Sequence, residues 1–464
     1  MFFNSIPFLI FFFITYVVYW HVNSSARRYV LIIASLVFYA YWSVPFLLHF
    51  SCAVAVNYLA LLRIRKQPGT KSAKIWLIAI LAANLLNLAF FKYTVAVVGL
   101  LADVSGSTFL AHALRTPELI LPLAISFYTF QMMALAVDAY RNEVQERISF
   151  LDYALFIFFF PQLIAGPIMR HSDFFYQIEN AVLTDRRLRV GLYLIAFGLI
   201  KKSVVADGIA AIIDPVYADP SHFNATANLA AMFGFALQLY LDFSGYTDMA
   251  RGVARLLGYD IPENFLGPYF ASSFSEHWRR WHVTLSTWLR DYLYIPLGGS
   301  QGGRLLMYRN LFITMTLGGL WHGHDFTYLL WGMLEGTYLV VERALGWQRR
   351  VLRSLSAKLP AILLVFLCTA IARVFFRADS FSQALDVFYA IGTWQAGAEP
   401  EGMGGFVRLF ALGWLLHTMQ YYRHVLAAPL LKYGRIVLPG LAIALLFIFA
   451  RLEHPGVSFI YFQF

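Results

Sequence analysis

Long apolar stretches, separated by short charged or Pro/Gly-rich breaks, dominate the chain. About eleven of them approach the roughly 20 apolar residues that a helix needs to cross a bilayer. They lie at about 5–20, 28–45, 46–62, 75–102, 119–138, 190–212, 226–246, 325–346, 359–376, 405–422 and 436–452. The pattern predicts an all-α polytopic membrane protein with about eleven transmembrane helices, in which residues 1–464 form one membrane domain.

Two further apolar pieces, at about 151–168 and 310–321, differ from these spans. The first contains Pro161, and the second contains Gly318 and Gly319. A membrane tolerates non-helical backbone only where protein or a water-filled cavity covers it. We therefore predict that both pieces are re-entrant or discontinuous helices.

Residues 247–310 are amphipathic, because charged side chains alternate there with tryptophan and tyrosine. We predict a cytoplasmic or interfacial insert with a helix that begins near Ser275. This helix would carry one apolar stripe, at positions 278, 281, 285, 288 and 289. A simple interpretation is a helix at the level of the lipid headgroups, with aromatic anchors and snorkelling arginines.

Composition excludes an ordinary soluble domain, since 59% of the 464 residues are hydrophobic and only 13% are charged. The net charge of +10 is spread over loops between the spans, as expected when Lys and Arg collect on the cytoplasmic side. It does not indicate nucleic-acid binding. The same rule places the loops 103–118, 213–225 and 377–404 outside, together with both ends of the chain. A basic cytoplasmic rim would also attract the phosphates of a soluble donor.

Histidines within this apolar chain are candidates for function, because ionisable groups at membrane depth are costly. His322 lies in GGLWHGHDF, where three glycines permit close approach of a substrate or another helix. Histidine is the side chain best suited to accept a proton near pH 7. A structural, hydrogen-bonded histidine is the alternative. His324 is predicted to point elsewhere and to adjoin Asp325.

His282 lies beside the apolar stripe of the insert and can face the protein interior. His277 lies roughly 140° away around a helix, so the two do not form the i, i+4 pair of a helical zinc site. We predict no metal site. The sequence lacks a G-x-S-x-G elbow, a phosphate loop and a Cys–His signature. A histidine that activates a substrate hydroxyl for direct attack on a thioester needs none of these.

Other polar and aromatic residues are candidates for supporting roles. Asp242, Ser244, Tyr246 and Asp248 form a polar cluster at the end of an apolar span, where helix capping and interhelical hydrogen bonds are the simpler explanation. An ion pair between Arg290 and Asp291 is predicted to hold the turn at 294–299. The supporting candidates, with no assigned contact to a donor, are Trp288, Arg290, Asp291, Trp321, Asp242 and Tyr246.

Several segments together resemble the membrane-bound O-acyltransferases, and within them the bacterial branch typified by the membrane subunit of alginate O-acetylation. Most specific to this branch is HWRRWHVTLSTWLRDYLYIPLGG. The segments lie at 121–131, 159–170, 239–265, 277–299, 318–332 and 376–378. The resemblance covers most of the chain.

This resemblance implies that His322 matches the near-universal catalytic histidine of the family and His282 the second site position, which holds His or Asn. It implies a tunnel open to both membrane faces and an acyl thioester donor, most simply acetyl-CoA, that enters from the cytoplasm. No tightly bound cofactor is expected. We expect His322 to remove the proton of the acceptor hydroxyl, and His282 to hydrogen-bond the donor or to stabilise charge at the thioester oxygen.

The resemblance further implies a multi-pass protein of the bacterial inner membrane that O-acetylates an exopolysaccharide such as alginate or cellulose. Because the largest predicted outer loop has about 28 residues, we expect a separate periplasmic or membrane-anchored partner with an esterase fold, alongside the polysaccharide synthesis machinery. A lipid, a teichoic acid or a protein is the alternative acceptor. A transporter or scaffold would favour two related halves with broken helices, and the sequence shows no such repeat.

Overall fold

Helices make up the regular structure. The computed structural model describes residues 1–106, 121–164, 166–349 and 354–425. Within these ranges the strand-like pairing is limited to an isolated parallel bridge between Phe223 and Ala398. The prediction of an all-α protein is confirmed.

The α-helices before residue 182 are α1 (Ile6–His21), α2 (Ser24–Ala40), α3 (Val44–Lys66), α4 (Lys71–Ser105), α5 (Ile125–Tyr140), α6 (Phe150–Phe158), α7 (Phe160–Leu163) and α8 (His171–Phe174). Those that follow are α9 (Asp185–Leu199), α10 (Asp207–Ala218), α11 (Ala225–Leu256), α12 (Phe274–Arg280), α13 (Val283–Leu289), α14 (Arg304–His322), α15 (Phe326–Ala344), α16 (Leu355–Arg377), α17 (Phe381–Gly392) and α18 (Met403–Tyr421). Two π-helical turns, Ile200–Ala206 and Arg290–Tyr294, continue α9 and α13. Short 3₁₀ turns lie at Phe175–Gln177, Pro268–Phe270 and Trp347–Arg349.

Among the residues that the structure describes, three helices are long and apolar enough to cross a membrane: α3, α4 and α16 from Ser356 onward. The helix α1 is equally apolar in character but shorter. The predicted number of about eleven spans is therefore not confirmed. One physical reason is visible at 190–212, where the predicted span consists of α9, a π-helical turn with two lysines, and α10. The predicted span at 436–452 lies outside the described residues.

The chain forms two compact units. The first contains residues 10–182 and 259–261 with Met1, and the second contains residues 2–9, 183–258 and the chain from 262 onward. In the first unit, α3 and α4 are joined by Asn57 and Asn84, whose amides exchange hydrogen bonds of 2.7 and 3.1 Å. Both side chains are buried. Such interhelical hydrogen bonds satisfy polar groups that lipid cannot.

The two pieces predicted to be discontinuous behave differently. The piece at 151–168 is broken, since α6 ends at Phe158 and Phe159 (φ −48°, ψ 100°) separates it from α7. The piece at 310–321 is part of one continuous helix, α14, so the predicted break there is wrong. Gly318 and Gly319 do not interrupt α14, because neighbouring side chains and α15 pack against them.

The helix α11 is the centre of the second unit and packs against α9, α10, α16, α17 and α18. It continues to Leu256, so it includes the first ten residues of the predicted insert at 247–310. The predicted insert ends at residue 310, within the first turns of α14. The segment that connects α11 to α14 therefore spans 257–303 and contains the two short helices α12 and α13.

A buried charge cluster joins α11 to the π-helical turn Ile200–Ala206. Lys201 lies 2.7 Å from Asp248, and Lys202 lies 2.8 Å from Asp242 and 2.7 Å from Asp207. A buried charge is tolerated when an opposite charge and hydrogen bonds compensate it. The aspartates lie in the middle of α11, so the capping interpretation is wrong and the interhelical one is confirmed.

Candidate active site

His282 and His322 lie in the second unit and line the same narrow cavity. The structure thus brings together the two histidines that the sequence selected. The remaining lining residues are Trp278, Trp281, Leu285, Leu289, Met315, Gly318 and Trp331. Apart from the imidazoles, the wall consists mainly of apolar and aromatic side chains.

The position of His322 is fixed by the packing of α14 against α15. His322 is the last residue of α14 and is 4% exposed. Its ring centroid lies 5.2 Å from that of Trp331 on α15 and 5.0 Å from that of Phe376 on α16. Gly319, one turn earlier, permits this arrangement, because a β-carbon there would lie 2.4 Å from the carbonyl oxygen of Tyr328.

The position of His282 depends on a break in the helix of the insert. The predicted single helix is instead α12 and α13, and His282 lies between them with φ 39° and ψ 57°. This left-handed conformation is uncommon for a residue other than glycine, and strain of this kind costs about 1–3 kcal/mol. Such strained residues cluster at functional sites.

The apolar stripe of the insert faces the protein despite this break. Trp281, Leu285, Trp288 and Leu289 are each less than 9% exposed, and all but Trp288 line the cavity. The interpretation of a helix at the headgroup level is therefore wrong for this stripe. Its residues form one wall of the site.

His282 is held in an aromatic environment. Its ring centroid lies 4.7 Å from that of Phe243, edge to face, and 6.4 Å from that of Phe265. Burial lowers the pKa of His282 to about 3. The imidazole is therefore neutral near pH 7, with one nitrogen as donor and the other as acceptor. A neutral imidazole suits hydrogen bonding to a substrate better than charge compensation.

Two buried charged residues support the tryptophans of the cavity wall from behind. The indole N–H of Trp278 donates to Glu335 over 3.1 Å. The guanidinium of Arg373 lies 4.1 Å from the ring centroid of Trp281 and donates to the Tyr269 hydroxyl over 2.7 Å. Glu335 and Arg373 are 1% and 3% exposed. These contacts restrict the rotamers of both tryptophans.

Trp331 offers a hydrogen-bond donor at the cavity. Its indole N–H is buried and has no hydrogen-bond partner within the described ranges. A buried donor without a partner costs free energy, which a ligand oxygen would recover. Sequence reasoning missed Trp331, although it ends the same GGLWHGHDFTYLLWG segment that carries His322.

The predicted supporting residues are less central than expected. Trp321 contacts the ring of the neighbouring histidine at 4.7 Å, whereas Trp288 packs against Tyr292 at 5.3 Å. Arg290 and Asp291 form the predicted ion pair at 2.6 Å, beside the irregular turn that follows. None of these four candidates lines the cavity.

Asp242 and Tyr246 lie on α11 and do not line the cavity either. Asp242 belongs to the buried charge cluster, and the hydroxyl of Tyr246 donates to Asn4 over 3.2 Å. His277 is buried outside the cavity, where its Nδ1 donates to the carbonyl oxygen of Pro268 over 3.3 Å. These residues stabilise the second unit.

His324 is directed away from the cavity, as predicted, and its Nδ1 lies 3.4 Å from Asp325. Its side chain is 34% exposed. In the described parts of the chain, no three His, Cys, Asp or Glu side chains form a group that could hold a metal ion. The polar groups that line the cavity are the imidazoles of His282 and His322 and the indoles of three tryptophans.

Comparisons with known proteins show the family of the chain. The protein of Pseudomonas aeruginosa named "Probable alginate O-acetylase" is 40% identical over 85% of this chain and 76% of its own length. The peptidoglycan O-acetyltransferase of Helicobacter pylori is 38% identical over 77% of this chain and 72% of its own. A teichoic acid D-alanyltransferase of Bacillus subtilis is 29% identical over 47% of this chain and 58% of its own. Residues 8–372 match the sequence model of the membrane-bound O-acyltransferase family, MBOAT. The chain belongs to this family and is a membrane-bound O-acyltransferase.

Proposed function

We propose that this protein moves acetyl groups from acetyl-CoA on the cytoplasmic side toward hydroxyls of an exopolysaccharide, with His322 as the general base. The observation that carries the proposal is the single cavity lined by both His322 and His282. A base and a hydrogen-bonding group that line the same small space suit an acyl transfer between two substrates.

In the proposed reaction, His322 accepts the proton of the acceptor hydroxyl, whose oxygen attacks the thioester carbonyl carbon. The C–S bond then breaks, and the proton passes from His322 to the departing thiolate. Because His322 ends the 19-residue helix α14, the negative end of the helix dipole stabilises the imidazolium that forms in between. General-base catalysis of this kind contributes about 10²–10⁴-fold.

His282 and Trp331 are suited to the opposite charge. During attack the carbonyl oxygen becomes an oxyanion, which fixed N–H donors stabilise in a water-poor site. The neutral imidazole of His282 offers one donor, and the indole of Trp331 offers another. We propose that these two groups bind the thioester oxygen.

The acceptor is proposed from the relatives. The alginate relative at 40% identity supports an exopolysaccharide. A second candidate is peptidoglycan, which the name of the relative at 38% identity favours. A teichoic acid has weaker support, because that relative matches only about half of this chain. All three acceptors present sugar or polyol hydroxyls to the same base.

We also propose that the protein crosses the bacterial inner membrane several times, so that the donor enters from the cytoplasm and the acetyl group leaves on the periplasmic side. A periplasmic or membrane-anchored partner with an esterase fold would then receive the acetyl group and pass it to the polysaccharide. The membrane-length helices α3, α4 and α16 support the location in a membrane.

The test is transfer of radiolabel from acetyl-CoA to an added glycan or partner by the purified protein in detergent. We expect His322→Ala to lower the rate at least about 100-fold, because it removes the base, while the variant elutes as a folded protein on size exclusion. His324→Ala is the matched control, since this neighbouring histidine is partly exposed and lies outside the cavity. A folded His322→Ala variant with the wild-type rate would refute the assignment of the base.

A further inference from the structure

We infer that Asn264 is a positioning residue that holds the strained backbone of His282 in the geometry needed for acyl transfer. Asn264 lies in the irregular segment after α11, is 1% exposed, and does not line the cavity. The inference rests on the proposed function of His282 but makes a separate claim, namely which residue keeps His282 in place.

The segment 264–266 runs alongside residues 280–284 and is bonded to them on both sides of His282. Before the histidine, the N–H of Leu266 donates to the carbonyl of Arg280 over 2.9 Å. After it, the N–H of Val283 donates to the backbone carbonyl of Asn264 over 3.0 Å. His282 is therefore enclosed between two hydrogen bonds to the same short segment.

The side chain of Asn264 adds the bonds that the backbone cannot make. Its Oδ1 accepts from the N–H of Thr284 over 3.2 Å and from the Thr284 hydroxyl over 2.6 Å. The N–H of Thr284 lies in the first turn of α13 and has no intrahelical partner. Asn264 thus caps the N-terminus of α13 from a different segment. The side chain of His282, the N-cap residue, makes no capping hydrogen bond.

These contacts explain why His282 remains in a left-handed conformation. A residue persists in such a region only when its surroundings over-determine it. With the Arg280 carbonyl and the Val283 N–H both bonded to residues 264–266, rotation of His282 to an ordinary conformation would break these hydrogen bonds. The imidazole would leave the cavity as well, because its direction follows from φ and ψ.

The segment that carries Asn264 is itself anchored. The carbonyl of Phe265 accepts a hydrogen bond of 2.8 Å from the Gln420 amide on α18. The ring of Phe265 packs against Trp281 at 5.1 Å and against His282 at 6.4 Å. The support of His282 therefore extends from the insert to α18 through Phe265, which does not line the cavity.

Only the carbonyl half of the Asn264 side chain is used. Its Nδ2 is buried and has no hydrogen-bond partner among the residues described. Two isosteric variants separate the effects: Asn264→Asp keeps the accepting oxygen, and Asn264→Leu removes it. Thr284→Val is a third variant, because it deletes the hydroxyl bond and leaves the backbone bond from Thr284.

We expect Asn264→Leu to lower kcat for acetyl transfer about tenfold or more with little change in KM, since small misplacements of a catalytic group cost up to about 100-fold. Asn264→Asp should recover most of the loss, and Thr284→Val should lie between wild type and Asn264→Leu. A general packing defect would not produce this order, because the aspartate variant buries a charge and would then be the worst of the three.

A double-mutant cycle that combines Asn264→Leu with His282→Gly and measures Tm tests the inference without an activity assay. Glycine adopts φ 39° with little strain, so Asn264→Leu should lower Tm clearly less in the His282→Gly background than in wild type. Equal losses in both backgrounds would overturn the inference, as would wild-type kcat in a folded Asn264→Leu. If wild type itself transfers no acetyl group, the proposed function fails while the cycle still decides the role of Asn264. Asn264→Ser replaces the leucine variant if that protein does not fold.

Discussion

The two site histidines share a cavity but differ in their local surroundings. His322 ends a 19-residue helix, where a positive charge is favoured. His282 lies between two helices of seven residues each and is surrounded by aromatic rings. In the proposed reaction, His322 would therefore gain a proton while His282 stays neutral.

This difference predicts the pH dependence of transfer. Because the lowered pKa of His282 is about 3, its protonated form predominates only below that pH. His282→Asn should lower the rate at every pH between about 5.5 and 9 without moving the acidic limb of the profile, since asparagine also tolerates the left-handed conformation. Initial rates of acetyl transfer across this range give the result. A shift of the acidic limb in the variant would show that His282 titrates there.

A second prediction at this scale concerns the length of the acyl chain. Leu289 and Met315 line the cavity, and a β-carbon on the adjacent Gly318 would lie 3.5 Å from Leu289 Cδ1. Leu289→Ala and Met315→Ala should raise the rate with butyryl-CoA relative to acetyl-CoA at least about tenfold, because each opens space where extra methylene groups would lie. Competition between the two donors measures the ratio.

The matched control for chain length is Leu317→Ala, a leucine of α14 that is 43% exposed and does not line the cavity. Its donor ratio should equal that of wild type. If Leu289→Ala and Met315→Ala also keep the wild-type ratio, the acyl chain lies elsewhere.

At the scale of elements, the close crossing of α14 and α15 determines the position of His322 in the site. The Cα atom of Gly332 on α15 would lie 3.0 Å from a β-carbon on Gly319 of α14, and the reverse contact has the same length. Helices approach this closely only where both carry small residues. Gly319, one of the glycines that suggested a broken helix in the sequence, is therefore a contact point between two continuous helices.

Gly319→Ala should consequently destabilise the protein by about 1–3 kcal/mol and reduce transfer. The new methyl group would lie 2.4 Å from the backbone oxygen of Tyr328, so α14 and α15 must separate and carry His322 with them. Thermal unfolding in detergent measures the loss. Gly318→Ala is the control, because its β-carbon makes an ordinary contact of 3.5 Å. Equal Tm values for the two variants would contradict the role of the crossing.

Sequence periodicity predicted the helices of this protein better than their interruptions. The stripe from Trp278 to Leu289 fits one amphipathic helix, and nothing local at His282 indicates a left-handed residue. The break depends on hydrogen bonds to Asn264, which lies 18 positions earlier in an irregular segment. A contact between distant segments leaves no periodic pattern, so neither the break nor Asn264 could be found this way.

At the scale of the whole molecule, hydropathy predicted the class of protein and most helices, and it was least informative where charges are buried in pairs. Lys201 and Lys202 interrupt a predicted span, yet Asp248 and Asp242 on α11 compensate them. The resemblance supplied the roles of the two histidines. Trp331 gave no signal of its own, because a tryptophan in an apolar helix is ordinary in a membrane protein.

The composition of the cavity wall affects the competition between acyl transfer and hydrolysis of the thioester. Three tryptophans, two leucines and a methionine line the cavity beside the two histidines. Ordered water needs two to four polar partners, and the groups that could serve, the two imidazoles and the Trp331 indole N–H, are those proposed to bind the substrates. A thioester held there meets the acceptor hydroxyl more readily than it meets water. In the proposed reaction this wall would limit futile hydrolysis of the donor, although an activated thioester and a basic imidazole are the ingredients of a thioesterase.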